Sequence, residues 1–269
     1  MIIMDSFSPA VLLSGVREVR PLVHHITNFV TVNDCANVTL SVGAAPVMAE
    51  APEEVAEMAS MADALVLNIG TLSSHQVEAM LRAGRTANAR GIPVVLDPVG
   101  AGATGFRTET ALRLIESLEI AVLKGNAGEI GTIAGNGARV RGVDSAGLTG
   151  VPAEICVLLA ERLGCVVAMS GEVDTVSDGR RVAFVENGHP LMGVVSGTGC
   201  MAASVTAAFA AVAEDRFAGV VAGLAAFGFA GEQAAGRAGG PGTFRSELFD
   251  SLATMTPSSL GRGARVRYA

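Results

Sequence analysis

Residues 197–200 read G-T-G-C and combine a glycine turn with a polar helix start. They follow the β-branched residues Val194 and Val195 and lead into the uncharged run Met201 to Ala213. This pattern predicts a strand, a tight turn and a buried helix, in that order. Backbone N–H groups at such a helix start are unpaired and point outward, so they can bind phosphate or another developing anion. The segment therefore favours phosphoryl transfer.

Cys200 stands in the first turn of this predicted helix. The positive end of the helix dipole favours the thiolate over the thiol there, which makes Cys200 a candidate reactive group. A small cysteine in an apolar run is also typical of an inert core residue, and many glycine turns only connect a strand to a helix. This motif alone leaves both interpretations open.

Polar residues also follow three apolar segments that predict consecutive strands. Asp97 comes directly after Val94-Val95-Leu96, Lys124 follows the next segment, and Ser170 follows the one after that. Ligands of open α/β sheets bind at the carboxyl ends of parallel strands, so these side chains are expected at one edge of a sheet. A carboxylate such as Asp97 can hold Mg²⁺ there, although an aspartate before proline can also simply cap a turn.

Asn126 and Glu129 belong to the same predicted strand end. Asn126 with a glutamate three residues later resembles an N-cap with a capping box, which is a sufficient structural explanation for both residues. The functional interpretation places Glu129 beside the metal and Lys124 near a phosphate. Three polar strand ends in succession favour the functional interpretation.

Residues 100–105 read G-A-G-A-T-G and formally match the dinucleotide-binding pattern GxGxxG. Asp97 and Pro98 separate this loop from the preceding strand, and the helical pattern starts only near Thr108. The next strand ends in Lys124 instead of an acidic residue. The context therefore disfavours a dinucleotide fold and favours a flexible loop that closes over phosphates.

The composition fits one large α/β domain over residues 1–269. Half of the residues are hydrophobic and 17% are charged, with one Tyr and no Trp. The net charge of −7 argues against nucleic acid or an anionic membrane as the main partner. The four cysteines form no C-x-x-C pair and no zinc spacing, and no secretory signal is evident before Pro21. A reduced, cytoplasmic protein is expected.

Two stretches, residues 193–213 and 217–231, carry no charge, so a membrane hairpin has to be considered. The first stretch contains the glycine turn, is dominated by alanine, and lacks aromatic anchors and flanking lysine clusters. Two helices buried inside a soluble protein, or beneath a subunit interface, explain both stretches better.

The hydrophobic pattern along the chain alternates short apolar segments with longer helical ones. The predicted strands cover residues 64–70, 92–96, 120–123 and 165–169, and the predicted helices cover residues 74–90, 108–118, 152–163 and about 244–252. Such alternation predicts a mostly parallel sheet covered by helices on both faces. Asp178-Gly179 between two valine-containing segments predicts a hairpin, hence an antiparallel edge. The tail, residues 261–269, is expected to be a solvated, partly ordered end.

His24 and His25 lie in a predicted strand. Neighbouring side chains on a strand face opposite sides of the sheet, so at most one of the two points into any given pocket. A hydrogen-bonded histidine beside the sheet is the favoured interpretation for each.

Several segments together resemble the hydroxyethylthiazole kinase family of the ribokinase-like superfamily. They are residues 21–28 (PLVHHITN), 43–48 (GAAPVM), 64–72 (ALVLNIGTL), 96–104 (LDPVGAGAT), 125–130 (GNAGEI), 171–174 (GEVD) and 197–200 (GTGC). The resemblance runs in order from about residue 20 to residue 255. It implies a three-layer ribokinase-like fold and phosphorylation of 4-methyl-5-(2-hydroxyethyl)thiazole by ATP with Mg²⁺, in thiamine salvage.

The resemblance also implies the roles of particular residues. The thiazole would contact Met48, Gly197, Asn28 and Val30. ATP would bind at Lys124, Ser170 and Asn126, the metal would lie between Asp97 and Glu129, and the anion hole would comprise Gly197, Thr198, Gly199 and Cys200. A homotrimer with active sites between subunits is implied as well. Family members often have Arg where this chain has Lys124, and Lys lacks the bidentate fork, so weaker nucleotide binding is expected.

Three alternatives remain at this point. A hydroxymethylpyrimidine kinase shares the fold and the reaction, but the Met48 pocket and Cys200 speak against it. A hydrolase with Cys200 as nucleophile and His189 as base lacks a clear orienting group. A non-catalytic ligand sensor has no need for both Asp97 and Glu129 beside a phosphate-binding turn.

Overall fold

The computed structural model describes residues 8–135 and 152–269, together with the backbone of residues 143–144 and 147–148. The helices are α1 (Pro9–Val19), α2 (Val32–Val42), α3 (Val55–Met61), α4 (Ser74–Arg90), α5 (Gly105–Ser117), α6 (Ala127–Gly135), α7 (Pro152–Leu163), α8 (Thr198–Val212), α9 (Arg216–Ala235), α10 (Pro241–Thr254) and α11 (Pro257–Gly263). The strands are β1 (Leu22–Ile26), β2 (Ala45–Val47), β3 (Ala64–Asn68), β4 (Val94–Asp97), β5 (Val122–Asn126), β6 (Val143–Asp144), β7 (Gly147–Leu148), β8 (Val166–Ser170), β9 (Asp174–Ser177), β10 (Val182–Val185) and β11 (Val266–Tyr268).

Within the described part of the chain, nine strands form one sheet in the order β2-β1-β3-β4-β5-β8-β9-β10-β11. The pairs from β2 to β8 are parallel, and β9, β10 and β11 continue the sheet with antiparallel pairs. The predicted mostly parallel sheet with an antiparallel edge is therefore confirmed. The parallel strands carry their carboxyl ends to a common edge, which is where ligands of such sheets bind.

Helices cover both faces of the sheet, and each face has its own apolar core. One core lies between the sheet and helices α1, α2, α8, α9 and α10, and the other lies against α3 to α7. The two charge-free stretches form α8 and α9, which pack against each other within the first core. Helix α9 has the length and apolar composition of a membrane span, but 83% of that span is buried inside the protein. The prediction of buried core helices is confirmed.

The predicted parallel strands and helices are present, but several bounds differ by up to three residues and one further predicted strand is wrong. Helices α4 and α7 have the predicted bounds, whereas α5 begins at Gly105, three residues before the predicted start. Thr104 Oγ1 caps α5 by accepting a hydrogen bond from the Arg107 N–H at 3.3 Å, so the cap, rather than the apolar pattern, sets the start. The predicted strand at Val194 and Val195 is wrong. A short 3₁₀ helix, Pro190–Val194, precedes the glycine turn instead.

The predicted hairpin between β9 and β10 is confirmed, with Gly179 at φ +88° in its turn. The predicted tail is solvated, since most of residues 261–269 are exposed, but it is more regular than expected. Residues 266–268 form β11, which pairs with β10 at the edge of the sheet. The Arg267 guanidinium lies 4.1 Å from the centre of the Phe184 ring, and Arg265 forms an ion pair with Glu232 at 2.7 Å. These long-range contacts order a segment whose own composition predicts no strand.

Candidate active site

Neighbouring strand ends bring Asn68 and Asp97 together. Asn68 ends β3 and Asp97 ends β4, and the two residues are partners in the parallel register. Asn68 Nδ2 donates a hydrogen bond to Asp97 Oδ2 at 2.7 Å, and both side chains are buried. The predicted position of Asp97 at the carboxyl end of a buried strand is confirmed.

Asn28 connects this pair to Cys200. Its Nδ2 donates to Asn68 Oδ1 at 2.9 Å and to Cys200 Sγ at 3.3 Å. Its Oδ1 accepts hydrogen bonds from the backbone N–H and the hydroxyl of Thr31, both at 3.0 Å. A continuous polar chain therefore runs from Cys200 through Asn28 and Asn68 to Asp97, across four separate segments of the sequence.

Cys200 lies in the first turn of α8, but its surroundings do not favour the thiolate. Burial raises the pKa of the Cys200 thiol above its ordinary value, and the negative charge of Asp97 raises it further. Hydrogen bonds from Thr31, Asn68 and Asn28 offset only part of this shift. Desolvation of the sulfur therefore opposes the stabilisation of the thiolate that a helix start supplies.

Asp97 is itself in an unusual electrostatic environment. Burial raises the pKa of its carboxyl group to about 6, and the nearby carboxylate of Glu129 raises it as well. The positive charge of Lys124 acts in the opposite direction. A nearby cation would stabilise the ionised form of this carboxylate, whose ionisation is otherwise costly.

Lys124 bridges the sheet and the start of α8. It lies within β5 with only 2% of its surface exposed, and its Nζ donates to the carbonyl oxygen of Gly199 at 2.9 Å. The ammonium group is thereby held at the glycine turn that the sequence singled out. Buried lysines are paired with polar partners in native proteins, and here the partner is the turn itself.

Glu129 and Asn126 form the predicted capping box. Glu129 N–H donates to Asn126 Oδ1 at 3.0 Å, and Asn126 N–H donates to Glu129 Oε2 at 2.8 Å. The second carboxylate oxygen of Glu129 accepts the N–H of Gly100 at 2.9 Å. Glu129 therefore also ties the glycine loop after β4 to the start of α6, beyond its predicted capping role.

The glycine turn before α8 depends on Gly197. This residue has φ +87°, and a methyl group added to it would lie 2.3 Å from Thr31 Cγ2. Thr198 Oγ1 donates to the carbonyl oxygen of Met192 at 2.8 Å, which closes the turn from the other side. The backbone N–H groups that open α8 are thus presented from a fixed turn beside Lys124.

A cavity of about 950 Å³ opens at this edge of the sheet. Lys124, Ser170, Thr198 and Gly199 line it, and Ser170 Oγ donates to the carbonyl oxygen of Gly125 at 3.2 Å. Asp174 lines it too, and burial raises the pKa of that carboxyl group to about 6. The size fits a nucleotide, and the lysine and the start of α8 supply positive potential for phosphates.

A second, smaller cavity of about 340 Å³ lies around Met48, and we call it the Met48 pocket. Its lining includes His25 but not His24, as the strand alternation predicts. Val30 is 61% exposed and is not among the described residues that line this pocket. Within one chain, therefore, Met48 lines a pocket and Asn28 belongs to the polar chain. Gly197 packs against Thr31, and Val30 lies at the surface.

Asp97 and Glu129 are the candidate metal ligands. No cluster of three or more acidic, histidine or cysteine side chains suited to a metal occurs among the described residues. Mg²⁺ at phosphate-transfer sites binds one or two carboxylates and takes its other ligands from water and substrate phosphates, so two carboxylates are enough. Each Glu129 oxygen accepts one N–H, and a carboxylate has about four acceptor positions, so acceptor capacity remains. The donor set fits Mg²⁺.

Three residues that matter for the geometry were missed from the sequence. Asn68 and Thr31 hold the polar chain together, and the Arg107 guanidinium donates to the carbonyl oxygens of Ile69, Gly70 and Val99 at 2.7–3.2 Å. Asn68 had a readable signal, because it ends an apolar strand as Asp97 does. Nothing in the local sequence of Thr31 or Arg107 indicates these long-range contacts.

Comparison with known proteins shows which family this chain belongs to. The sequence model of the hydroxyethylthiazole kinase family matches residues 13–258. The chain belongs to this family. A relative from Methanoculleus marisnigri named hydroxyethylthiazole kinase is 64% identical over 263 residues, which cover 98% of this chain and 94% of the relative.

Solved structures of other proteins have the same fold as this chain. The hydroxyethylthiazole kinase protein from Pyrococcus horikoshii is 44% identical, with a TM-score of 0.90 over 97% of this chain and 98% of that one. A ribokinase-like superfamily protein from Enterococcus faecalis is 13% identical, with a TM-score of 0.67 over 91% of this chain and 89% of that one, and supports the fold alone. The enzyme therefore has the predicted ribokinase-like architecture.

Proposed function

We propose that this enzyme transfers the γ-phosphoryl group of ATP to the primary hydroxyl of 4-methyl-5-(2-hydroxyethyl)thiazole, as a step of thiamine salvage. The observation that carries the proposal is the polar chain from Cys200 to Asp97 beside the glycine turn, with Lys124 bonded to that turn. Lys124 and the turn residues Thr198 and Gly199 line a cavity large enough for a nucleotide. Membership of the family supports the choice of substrate.

In this proposal the large cavity binds ATP. Lys124 and Ser170 line the cavity, and Asn126 stands at the end of the same strand as Lys124. The Lys124 ammonium and the N–H groups of residues 197–200 meet the transferring phosphoryl group, whose charge spreads over its oxygens in the transition state. Most of the catalysis then comes from positioning and charge stabilisation by groups that are already in place.

Asp97 and Glu129 would hold Mg²⁺. When bound, the ion neutralises phosphate charge and aligns the nucleotide. Residues of the chain orient the two carboxylates. Asn68 fixes the rotamer of Asp97, and Glu129 ties the glycine loop, so the two carboxylates are oriented before substrate arrives. Hydrogen bonds of this kind hold metal-binding carboxylates in a fixed orientation.

Cys200 acts as a neutral thiol in this proposal. The raised pKa of its sulfur disfavours a thiolate base, and a loose transition state requires little removal of the hydroxyl proton before the phosphoryl group arrives. The thiol instead lies against Asn28 Nδ2 and contributes to the wall of the anion hole. Substrate positioning, rather than proton removal, is its expected contribution.

The alternatives are less well supported. Cys200 Sγ accepts a hydrogen bond from Asn28, whereas His189 caps the 3₁₀ helix by accepting the Leu191 N–H at 3.2 Å. The Cys–His pair of a hydrolase is therefore not assembled in the described residues. A sensor would not need Lys124 and two carboxylates around one turn. A pyrimidine alcohol remains the competing substrate, to be decided by assay.

The remaining predictions stay proposals. A homotrimer with active sites between subunits would cover the exposed apolar side chains of Phe29, Val30 and Val194, which lie on segments that adjoin the site. Val30 would then reach the thiazole from within such an interface. A single domain over residues 1–269 is supported by a sheet that includes both Leu22 and Tyr268. A cytoplasmic location is the remaining expectation.

The test is ATP consumption with Mg²⁺ across hydroxyethylthiazole, hydroxymethylpyrimidine and a sugar alcohol. Turnover confined to the thiazole supports the proposal. Turnover on the pyrimidine alone would reassign the substrate while keeping the metal and nucleotide sites. No turnover on any alcohol, with ATP binding retained, would reject the kinase activity.

A further inference from the structure

Part of the wall of the large cavity consists of residues 186–189, which follow β10 and which we call the cavity loop. All four residues line the cavity, and so does Arg265, which precedes β11. Lys124 and the glycine turn, where the phosphates are proposed to bind, line the same cavity. A ligand of nucleotide size that fills this cavity therefore contacts the cavity loop.

Glu232 of α9 holds the cavity loop in place. Its Oε1 accepts hydrogen bonds from Asn187 Nδ2 at 3.1 Å and from the Gly188 N–H at 2.9 Å. The helix and the loop also touch directly, since a methyl group added to Gly228 would lie 2.3 Å from the carbonyl oxygen of Asn187. The loop is thus fixed to α9 at two consecutive residues.

Asn187 joins the cavity loop to residues 263–265, which connect α11 to β11. Its Nδ2 also donates to the carbonyl oxygen of Gly263 at 2.9 Å, and its Oδ1 accepts the Arg265 N–H at 2.7 Å. Both amide hydrogens and the amide oxygen of this buried side chain are therefore paired, which fixes its orientation.

The Arg265 guanidinium completes the network. Its Nη1 donates to Glu232 Oε2 at 3.0 Å, and its Nη2 donates to Glu232 Oε1 at 2.7 Å. Nη2 also donates to the carbonyl oxygen of Glu186, the first residue of the cavity loop, at 2.6 Å. A guanidinium can bind both carboxylate oxygens at once and still reach a carbonyl group, and an ammonium group lacks this planar fork.

The ion pair is charged at neutral pH and lies near the surface. Burial opposes ionisation of Glu232, but hydrogen bonds from Arg265, Gly188 and Asn187 outweigh this effect and lower the pKa of its carboxyl group. The Arg265 side chain is 51% exposed. An ion pair with this much exposure contributes little to the stability of the whole fold, so its loss should act mainly on the cavity loop.

We infer that Arg265 and Glu232 are positioning residues for the nucleotide, because they hold the cavity loop in the conformation that binds it. This inference rests on the proposed function, which assigns the large cavity to the nucleotide. When only a fraction of the molecules has the binding conformation, the affinity falls by that fraction. Loss of the pair should therefore weaken nucleotide binding and leave binding in the Met48 pocket unchanged.

The test is calorimetry on the intact enzyme with Mg²⁺ and the non-hydrolysable ATP analogue AMP-PNP. Arg265→Met should raise the Kd about tenfold, the result expected if the loop keeps its binding conformation in about a tenth of the molecules. Arg265→Lys keeps the charge without the fork and should raise the Kd only about threefold.

Steady-state kinetics separate positioning from a general loss of structure. Arg265→Met should raise the KM for ATP about tenfold and leave kcat at saturating ATP within about twofold of the wild type. The Kd of hydroxyethylthiazole should not change. A fall in kcat together with weaker thiazole binding would overturn the inference, because the damage would then extend beyond the cavity loop.

Glu232→Gln distinguishes positioning from direct contact between Arg265 and the nucleotide. The amide oxygen of this variant can still accept from Asn187 and Gly188, but its NH₂ group then faces the Arg265 guanidinium donor to donor. Positioning predicts a Kd about threefold higher, because the loop loses its link to Arg265. An arginine freed to bind phosphate predicts tighter binding. Unchanged or tighter binding would overturn the role of the cavity loop.

Arg267→Met is the matched control. Arg267 lies in β11, is 60% exposed and contacts Glu186 Oε1 at 3.6 Å, but it is not among the described residues that line the cavity. This variant should bind AMP-PNP as the wild type does. An equal effect of Arg265→Met and Arg267→Met would overturn the specific role of Arg265.

The wild-type enzyme separates this inference from the proposed function. If it phosphorylates hydroxyethylthiazole while Arg265→Met binds AMP-PNP as tightly as the wild type, the inference fails and the proposed function stands. If it binds AMP-PNP but phosphorylates no alcohol, the proposed function fails, and weaker binding by Arg265→Met still supports the inference. Absence of AMP-PNP binding to the wild type would overturn both.

Discussion

Replacement of Gly197 by alanine tests the glycine turn at the centre of the site. The backbone at Gly197 has φ +87°, a conformation that costs a residue with a side chain about 1–2 kcal/mol. The new methyl group would also lie 2.3 Å from Thr31 Cγ2, and overpacking of this kind costs about 1–3 kcal/mol more. The expected loss in the free energy of unfolding is therefore about 2–5 kcal/mol.

The same change should damage catalysis. Thr31 cannot move away without disturbing its two hydrogen bonds to Asn28 Oδ1, and the turn cannot move without displacing the N–H groups that open α8. Loss of one preorganised anion-binding N–H typically lowers kcat about a hundredfold. The assays are urea denaturation for stability and steady-state turnover with ATP, Mg²⁺ and hydroxyethylthiazole.

Two further variants separate the causes. Gly91→Ala has the same backbone constraint, φ +69°, but no atom within 4 Å of the new methyl group, so it should lose only about 1–2 kcal/mol and no activity. Thr31→Ser removes the clashing methyl group and keeps the hydroxyl, so in the Gly197→Ala background it should restore part of the stability. If Gly197→Ala behaved like Gly91→Ala in both assays, the argument from the turn would be refuted.

Three other predictions concern the buried polar groups. In urea denaturation, Asp97→Asn should stabilise the metal-free enzyme by on the order of 2 kcal/mol at pH 7 and should have no such effect at pH 4. The pKa of the Asp97 carboxyl group is raised to about 6, so its ionisation destabilises the folded protein only at pH values above its pKa in the unfolded chain. The same variant should lose Mg²⁺-dependent turnover. Lys124→Met should raise the KM for ATP at least about tenfold and leave the calorimetric Kd of the thiazole unchanged, and an unchanged KM would remove Lys124 from the nucleotide site. Cys200→Ala should slow turnover without abolishing it, and Cys200 should react slowly with iodoacetamide at pH 7, since burial raises the pKa of the thiol; rapid labelling would contradict the neutral thiol.

Much of the fold could be predicted because it depends on local patterns. The bounds of α4 and α7 follow from apolar periodicity with a serine cap or a proline at the start. Asp97 could be placed at a strand end because continuous apolar segments predict buried parallel strands. The capping box of Asn126 and Glu129 is readable from a three-residue spacing alone.

The remainder depended on contacts between distant segments. Residues 266–268 form β11 because they pair with the edge strand β10 and because the Arg267 guanidinium packs on the Phe184 ring. The 3₁₀ helix before the glycine turn replaced a predicted strand, since Val194 and Val195 have a β-branched composition but pair with no strand in the described part of the chain.

The sequence by itself determined which chemical groups are available and at which strand ends they stand, since hydrophobic periodicity and capping act over a few residues. Only the tertiary structure decided how those groups behave. The protonation of Cys200 depends on burial and on Asp97, which lies more than a hundred positions earlier in the chain. The polar chain likewise exists only because the segments that carry Asn28, Asn68, Asp97 and Cys200 meet in the folded protein. Desolvation and hydrogen-bond pairing depend on every neighbour in space, so no local pattern of residues encodes them.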